Sequence, residues 1–134
     1  MANEAVCYEP PTRFARYTVS STAVIPKGSI LAITTPETAA ICSADDDVFG
    51  GIAMMEKTAT NDNTTEISAA LNGVWGLVAG SAAPITIGQD VSISGVNEIK
   101  VYTSLDDEKG FIVGKILEGC GSAAPTRVKV RVNV

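Results

Sequence analysis

The sequence predicts an all-β protein: a small β-barrel or β-sandwich-like domain built from two similar β-units, with an extended N-terminal arm. Three observations predict this. Apolar residues make up 46% of the 134 but aromatics only 5%, so the core must be assembled from Ala, Val and Ile, which suit thin sheets or a narrow barrel. Three stretches recur at a near-constant offset. Ile25–Ile33 matches Ile85–Ile93 around Gly28 and Gly88, Phe49–Met54 matches Phe111–Leu117, and Thr65–Leu71 matches Thr126–Val132, at offsets of 60, 63 and 61. Lastly, no amphipathic period longer than two helical turns is present, whereas Arg127-Val-Lys-Val-Arg-Val-Asn-Val134 alternates strictly.

Residues 1–17 lie outside the repeat. Tyr8-Glu-Pro-Pro-Thr-Arg-Phe-Ala-Arg-Tyr17 carries half of the chain's six Phe and Tyr residues, and its Pro pair blocks a helix and favours an extended chain. This composition, rich in Tyr, Phe and Arg, is that of an interface anchor. Tyr8, Pro10, Pro11, Arg13, Phe14, Arg16 and Tyr17 are therefore the candidate partner-binding residues. The alternative is an arm packed on its own barrel. If the arm serves a partner, deleting residues 2–17 leaves a folded domain that has lost its binding.

Residues 18–134 read as a single β-domain, with the repeat falling at about 18–78 and 79–134 and the stretch around Trp75, the only Trp, as the joint. Tyr17–Ile25 is β-rich. Pro26-Lys-Gly28 makes a turn into a strand over Ser29–Thr34. Residues 36–47 read as a loop or a short helical turn ending in Asp45-Asp-Asp47. Val48–Lys57 is a strand whose Gly50-Gly51 predicts a bulge. Thr58–Thr65 is polar loop. Glu66–Leu71 and Val74–Val78 are strands on either side of an Asn72-Gly73 turn, and Ala79–Pro84 is a link. Ile85–Ser94, Ile99–Ser104 and Phe111–Glu118 follow as strands, with a turn over Asp106–Gly110 and a loop over Gly119–Pro125. In the last strand Val128, Val130, Val132 and Val134 face the core, while Arg127, Lys129 and Arg131 face out.

Charge and chemistry exclude several function classes. The net charge of −5 divides as +1 over residues 1–31, −10 over 32–108 and +4 over 109–134. An acidic middle argues against nucleic acid as a partner. Cys7, Cys42 and Cys120 form neither a disulfide framework nor a zinc pattern, and suit a reducing compartment. The absence of His removes the usual general base and the commonest metal ligand. Three consecutive Asp lack the spacing of a calcium loop. Gly119-Cys-Gly-Ser122 has the look of a nucleophile loop, but nothing near it in sequence would activate Cys120 or Ser122. Ala53-Met-Met-Glu-Lys57 shares a flavour with the cofactor-bearing hairpin of biotin carriers, although its Lys is displaced. No catalytic, cofactor or metal site is expected. Nor is a signal peptide or a membrane span.

The ordered motifs Pro26-Lys-Gly28, Gly51-Ile-Ala53, Asn72-Gly-Val-Trp75, Ala82–Val91, Val113-Gly-Lys-Ile-Leu117 and Val128-Lys-Val-Arg-Val132 together cover about residues 20–134. In order and spacing they resemble the DUF2190-like family of phage head decoration, or cement, proteins. In that pattern Phe usually stands where Trp75 stands here, and the aromatic arm has no counterpart. The resemblance implies a capsid protein of the virion's outer surface, assembled in the host cytoplasm. It implies a homotrimer that binds the major capsid protein and stabilises contacts between capsid subunits. A head-surface module that binds a receptor or carbohydrate is the alternative. It would need an exposed aromatic platform, for which Trp75 is the spare candidate.

Overall fold

The structure, a computed structural model, describes residues 4–44, 47–58, 65–79, 85–102, 112–119 and 126–133. The described residues form eleven strands and no helix: β1 (Val6–Glu9), β2 (Phe14–Thr18), β3 (Ile30–Thr35), β4 (Thr38–Ile41), β5 (Phe49–Ala53), β6 (Glu66–Ala70), β7 (Asn72–Ala79), β8 (Asp90–Gly95), β9 (Glu98–Val101), β10 (Ile112–Glu118) and β11 (Thr126–Asn133). They close into two five-stranded barrels. The first runs β2-β4-β3-β5-β6 and back to β2; the second runs β7-β9-β8-β10-β11 and back to β7, with β1 added beside β7.

The two barrels share one topology. In each, the first strand closes the barrel by pairing antiparallel with the last and parallel with the third, at Thr18↔Thr38 in one and Val78↔Glu98 in the other. Backbone detail repeats as well. Gly28 and Gly88 have φ of 91° and 89°, and Glu37 and Asn97, at the β3–β4 and β8–β9 hairpin tips, have φ of 59° and 55°. The Gly28 N–H donates to Ala53 O and the Gly88 N–H to Ile116 O, both at 2.9 Å. Shared topology, turn conformations and hydrogen bonds about 60 residues apart agree with the two similar β-units that the three sequence matches indicate.

Several boundaries differ from the expectation. The joint is Leu71, between β6 and β7, so the Trp75 stretch is the opening stave of the second barrel. Asn72 and Gly73, expected as a turn, belong to that strand. β4 occupies part of the stretch expected to be loop or helical turn, because antiparallel pairing with β3 from Leu31↔Ile41 to Thr35↔Thr38 outweighs weak local propensity. Residues 4–17 do not stand apart as an arm. β1 is paired to β7, and Phe14–Thr18 is a stave of the first barrel. Deleting residues 2–17 would therefore remove a closing strand rather than trim a tail.

The glycine pair in β5 makes the expected bulge. Register slips between Leu31↔Gly51 and Ala32↔Phe49, leaving Gly50 as the extra residue. Gly51 has φ 131°, and a Cβ there would lie 2.8 Å from Ala70 O. Only glycine allows β5 and β6 to approach so closely.

The barrels pack asymmetrically. Leu31, Ala39, Ile67 and Ala69, all buried, fill the first barrel. The opposite face of its strands is also apolar: Ile30, Ala32, Cys42, Phe49, Ile52 and Ala70 join one cluster with Trp75, Leu77, Ile93, Ile99 and Val130 of the second barrel. The positions equivalent to Ile30, Ala32 and Ala70 in the second barrel are Asp90, Ser92 and Arg131. One barrel thus offers an apolar outer face and the other covers it, and burial of that face drives the pairing.

Asn97 fastens the contact. It is 1% exposed, and its Oδ1 accepts a hydrogen bond from the Ile30 N–H at 2.8 Å. Its own N–H donates to Cys42 Sγ at 3.3 Å, and Cys42 Sγ donates to Gly95 O at 3.2 Å. Glu37, the equivalent residue of the first barrel, is exposed to solvent.

Candidate interaction surface

The seven residues singled out in the N-terminal segment are divided between the two barrels. Every residue of β1 is exposed. Tyr8, half exposed, lies over Gly76, where a Cβ would stand 2.8 Å from the ring. The Lys129 ammonium sits 4.8 Å from the Tyr8 ring centroid, a cation–π distance, and 3.6 Å from Glu118. Tyr8, Glu9, Val74, Leu117, Glu118 and Lys129 line a shallow groove of about 600 Å³ on this face. Arg127 anchors the segment from the side, donating to Glu4 O at 2.8 Å and Gly76 O at 2.9 Å.

Pro10 and Pro11 carry the chain from the second barrel to the first. The corner after them is fixed by Asn72. Its Oδ1 accepts from the Thr12 N–H at 2.8 Å and the Arg13 N–H at 3.1 Å, and its Nδ2 donates to Thr12 Oγ1 at 2.9 Å. Strand β2 then alternates. Phe14 is 55% exposed on the outer face, and Arg16 is exposed beside Glu66 at 3.2 Å. Ala15 and Tyr17 point the other way. The Tyr17 hydroxyl donates to Gly50 O at 2.6 Å, and burial raises its pKa. Tyr8, Pro10, Arg13, Phe14 and Arg16 are thus exposed, Pro11 is half-buried, and Tyr17 belongs to the first barrel's interior.

The chemical alternatives lose ground residue by residue. Lys57 is 1% exposed, with its ammonium donating to Ser21 O at 2.8 Å and Ala23 O at 3.2 Å, so it cannot present a cofactor as a carrier lysine does. Trp75 is 4% exposed in the shared core and its Nε1 donates to Asn72 O at 3.0 Å, which removes it as a glycan platform. Asp47 Oδ2 accepts from the Ser43 and Ala44 N–H groups at 2.9 and 3.0 Å, a local turn closure. Burial pushes the Cys42 thiol up to about 11. The hydrogen bond from the Asn97 backbone pulls it down in part, and the Asp47 charge pushes it up. Cys7 is exposed on β1, its thiol donating to Glu9 O at 3.4 Å. Among the described residues no group of three His, Cys, Asp or Glu could hold a metal ion, and no helix is long and apolar enough to cross a membrane. Asp45, Asp46, Cys120, Ser122 and positions 80–84 of the link lie outside the described residues.

Sequence reasoning missed Asn97 and Cys42 as the clasp between barrels. The signal was available: an Asn opposite Glu37 in the repeat, at a hairpin tip where Asn tolerates a left-handed backbone. A scan against protein-family models finds no match for the chain, and a search of curated proteins finds none either.

Proposed function

We propose that this protein is a phage head decoration protein that binds the outer surface of the assembled capsid and stabilises contacts between major capsid subunits. The observation that carries the reading is the ordered motif set over residues 20–134. The fold supports it by giving the described motifs structural work: Pro26–Gly28 turns into β3, Gly51 lets β5 approach β6, and Val74-Trp75, Val113–Leu117 and Val128–Val132 are staves of the second barrel. The exposed side chains of Tyr8, Phe14 and Arg16 lie on outer strand faces, with exposed Arg13 just before β2, an arrangement suited to a macromolecular partner.

Such a protein acts by mass action. Binding only the expanded shell stabilises that shell, and repeated weak contacts around a homotrimer at local three-fold positions add by avidity. The test is co-sedimentation with expanded, undecorated heads of its own virus across a concentration series. Saturation at a fixed ratio per capsid subunit is expected. A folded protein that stays in the supernatant overturns the reading. The receptor- or carbohydrate-binding alternative is disfavoured by the burial of Trp75.

A further inference from the structure

The repeat makes the two barrels controls for each other, and one difference between them is an edge. On β7, Val74 and Gly76 pair with β1 through Glu9↔Val74 and Val6↔Gly76. The equivalent residues of β2, 60 positions earlier, are Phe14 and Arg16, and no described strand pairs with them on that side. The geometry there is the same. Arg13 O accepts from the Leu71 N–H and the Val19 N–H donates to Thr65 O, so residues 13, 15, 17 and 19 turn their main-chain groups toward β6. Phe14 and Arg16 turn theirs outward. Thr18, next in that alternation, donates its N–H to Glu37 O of the β3–β4 hairpin, as the outward direction requires.

Exposed strand edges are ordinarily blunted by Pro, bulges or inward charges. This one has none of these between Phe14 and Thr18. Its start is held in place by Asn72, and it displays an exposed Phe and an exposed Arg. The second barrel supplies the template for what fits: an antiparallel extended segment, Val6–Glu9, with acidic residues at Glu4 and Glu9. Acidic residues in such a segment also complement the exposed Arg16, whose ion-pair partner Glu66 is itself exposed.

We infer that the open edge of β2 is a strand acceptor that takes an extended acidic segment of the partner, adding it antiparallel alongside Phe14–Arg16. Main-chain hydrogen bonds to Phe14 and Arg16 hold the strand; in the register of β1 an apolar residue stands opposite Arg16 and the acid two residues before it lies diagonally within reach of the guanidinium. That the partner is a capsid subunit rests on the function proposed above; the acceptor edge itself does not.

The test uses the full chain and a synthetic peptide of residues 4–10 carrying Cys7→Ser, the segment whose template already fills the matching edge. Titration to millimolar peptide should shift the Phe14 and Arg16 amide resonances and slow their hydrogen exchange, leaving the Val74 and Gly76 amides in place. Arg16→Pro removes an outward N–H without touching the ladder to β6, and should weaken the peptide about tenfold with the fold intact by circular dichroism. Arg16→Glu should weaken it while keeping the N–H. Unmoved Phe14 and Arg16 amides, or equal binding by a folded Arg16→Pro variant, overturns the acceptor edge. Sedimentation with heads then separates the two ideas. If wild type pellets and Arg16→Pro does not, the capsid uses this edge. If both pellet equally, decoration stands and the capsid's use of the edge falls. If wild type stays in solution, decoration falls and the peptide titration alone judges the edge.

Discussion

Replacing Asn97 tests how the two barrels are joined. Its Oδ1 is the partner of the Ile30 N–H at 2.8 Å, inside an interface where Ile30 is 0% and Asn97 1% exposed. Asn97→Gly keeps the backbone unstrained at φ 55° and removes the acceptor with the rest of the side-chain amide. Leaving a buried N–H without a partner costs about 1–3 kcal/mol. Asn97→Ala removes the same acceptor and adds about 1 kcal/mol for a Cβ in the left-handed region. Asn97 Nδ2 has no hydrogen-bond partner in its buried position, so truncation also removes one unpaired donor and the lower half of the range is expected for glycine. Equilibrium urea unfolding followed by Trp75 fluorescence reads both. The expected loss is about 1–2 kcal/mol for glycine and about 2–3 kcal/mol for alanine. Glu37→Gly, at the equivalent but exposed tip with φ 59°, breaks no such bond and relieves the same Cβ strain, so it should leave stability unchanged or raise it by up to about 1 kcal/mol. If Asn97→Gly unfolds with the wild type, or alanine and glycine prove equal, the clasp argument is wrong.

Other expectations follow from single sites. Gly51→Ala forces a Cβ against Ala70 O at 2.8 Å and should cost about 2–3 kcal/mol in the same urea assay. Lys57→Met keeps the stem but abandons the carbonyls of Ser21 and Ala23, a loss of about 1–3 kcal/mol by thermal or urea unfolding. Raising the pH should weaken the fold through Cys42. Below the ordinary thiol value of 9.0 folded and unfolded states both keep the proton, but between there and about 11 the unfolded chain ionises first, so stability falls as pH rises. A urea midpoint flat from pH 9 to 11, or unchanged in slope by Cys42→Ala, contradicts this. Iodoacetamide should alkylate Cys7 in the native protein and Cys42 only after unfolding, as peptide mapping can follow.

Much of the fold was legible because the repeat is written in residues with strong backbone demands. Gly28 and Gly88 mark the same left-handed turn, and the valines of β11 mark a stave in plain alternation. The contrast between Ile30-Leu-Ala-Ile33 and Asp90-Val-Ser-Ile93 also carried information that went unread. An uninterrupted apolar run belongs to a strand buried on both faces, an alternating one to a strand with a single core face. The contrast tracks the apolar outer face of the first barrel, although Ser92 is itself fully buried in β8. β4 was hidden because Thr38-Ala-Ala-Ile41 has little β propensity and is held by its neighbours on either side. The N-terminal segment was only half legible for a related reason. Its prolines and aromatics do not say which side chains turn inward: Tyr17 is anchored within the first barrel and Tyr8 lies against the second, while Phe14 and Arg16 stay exposed.

The exchange of parts between the barrels sets a timetable for synthesis. By residue 70 every stave of the first barrel has been made, but the Ile30 N–H has no acceptor until residue 97 is translated. Conversely, Val6–Glu9 is made first of all the strands and has no β7 to pair with until residue 76 emerges. The nascent chain therefore carries a finished barrel with an open socket and a spare strand, and only the second copy of the unit fills the one and pairs the other.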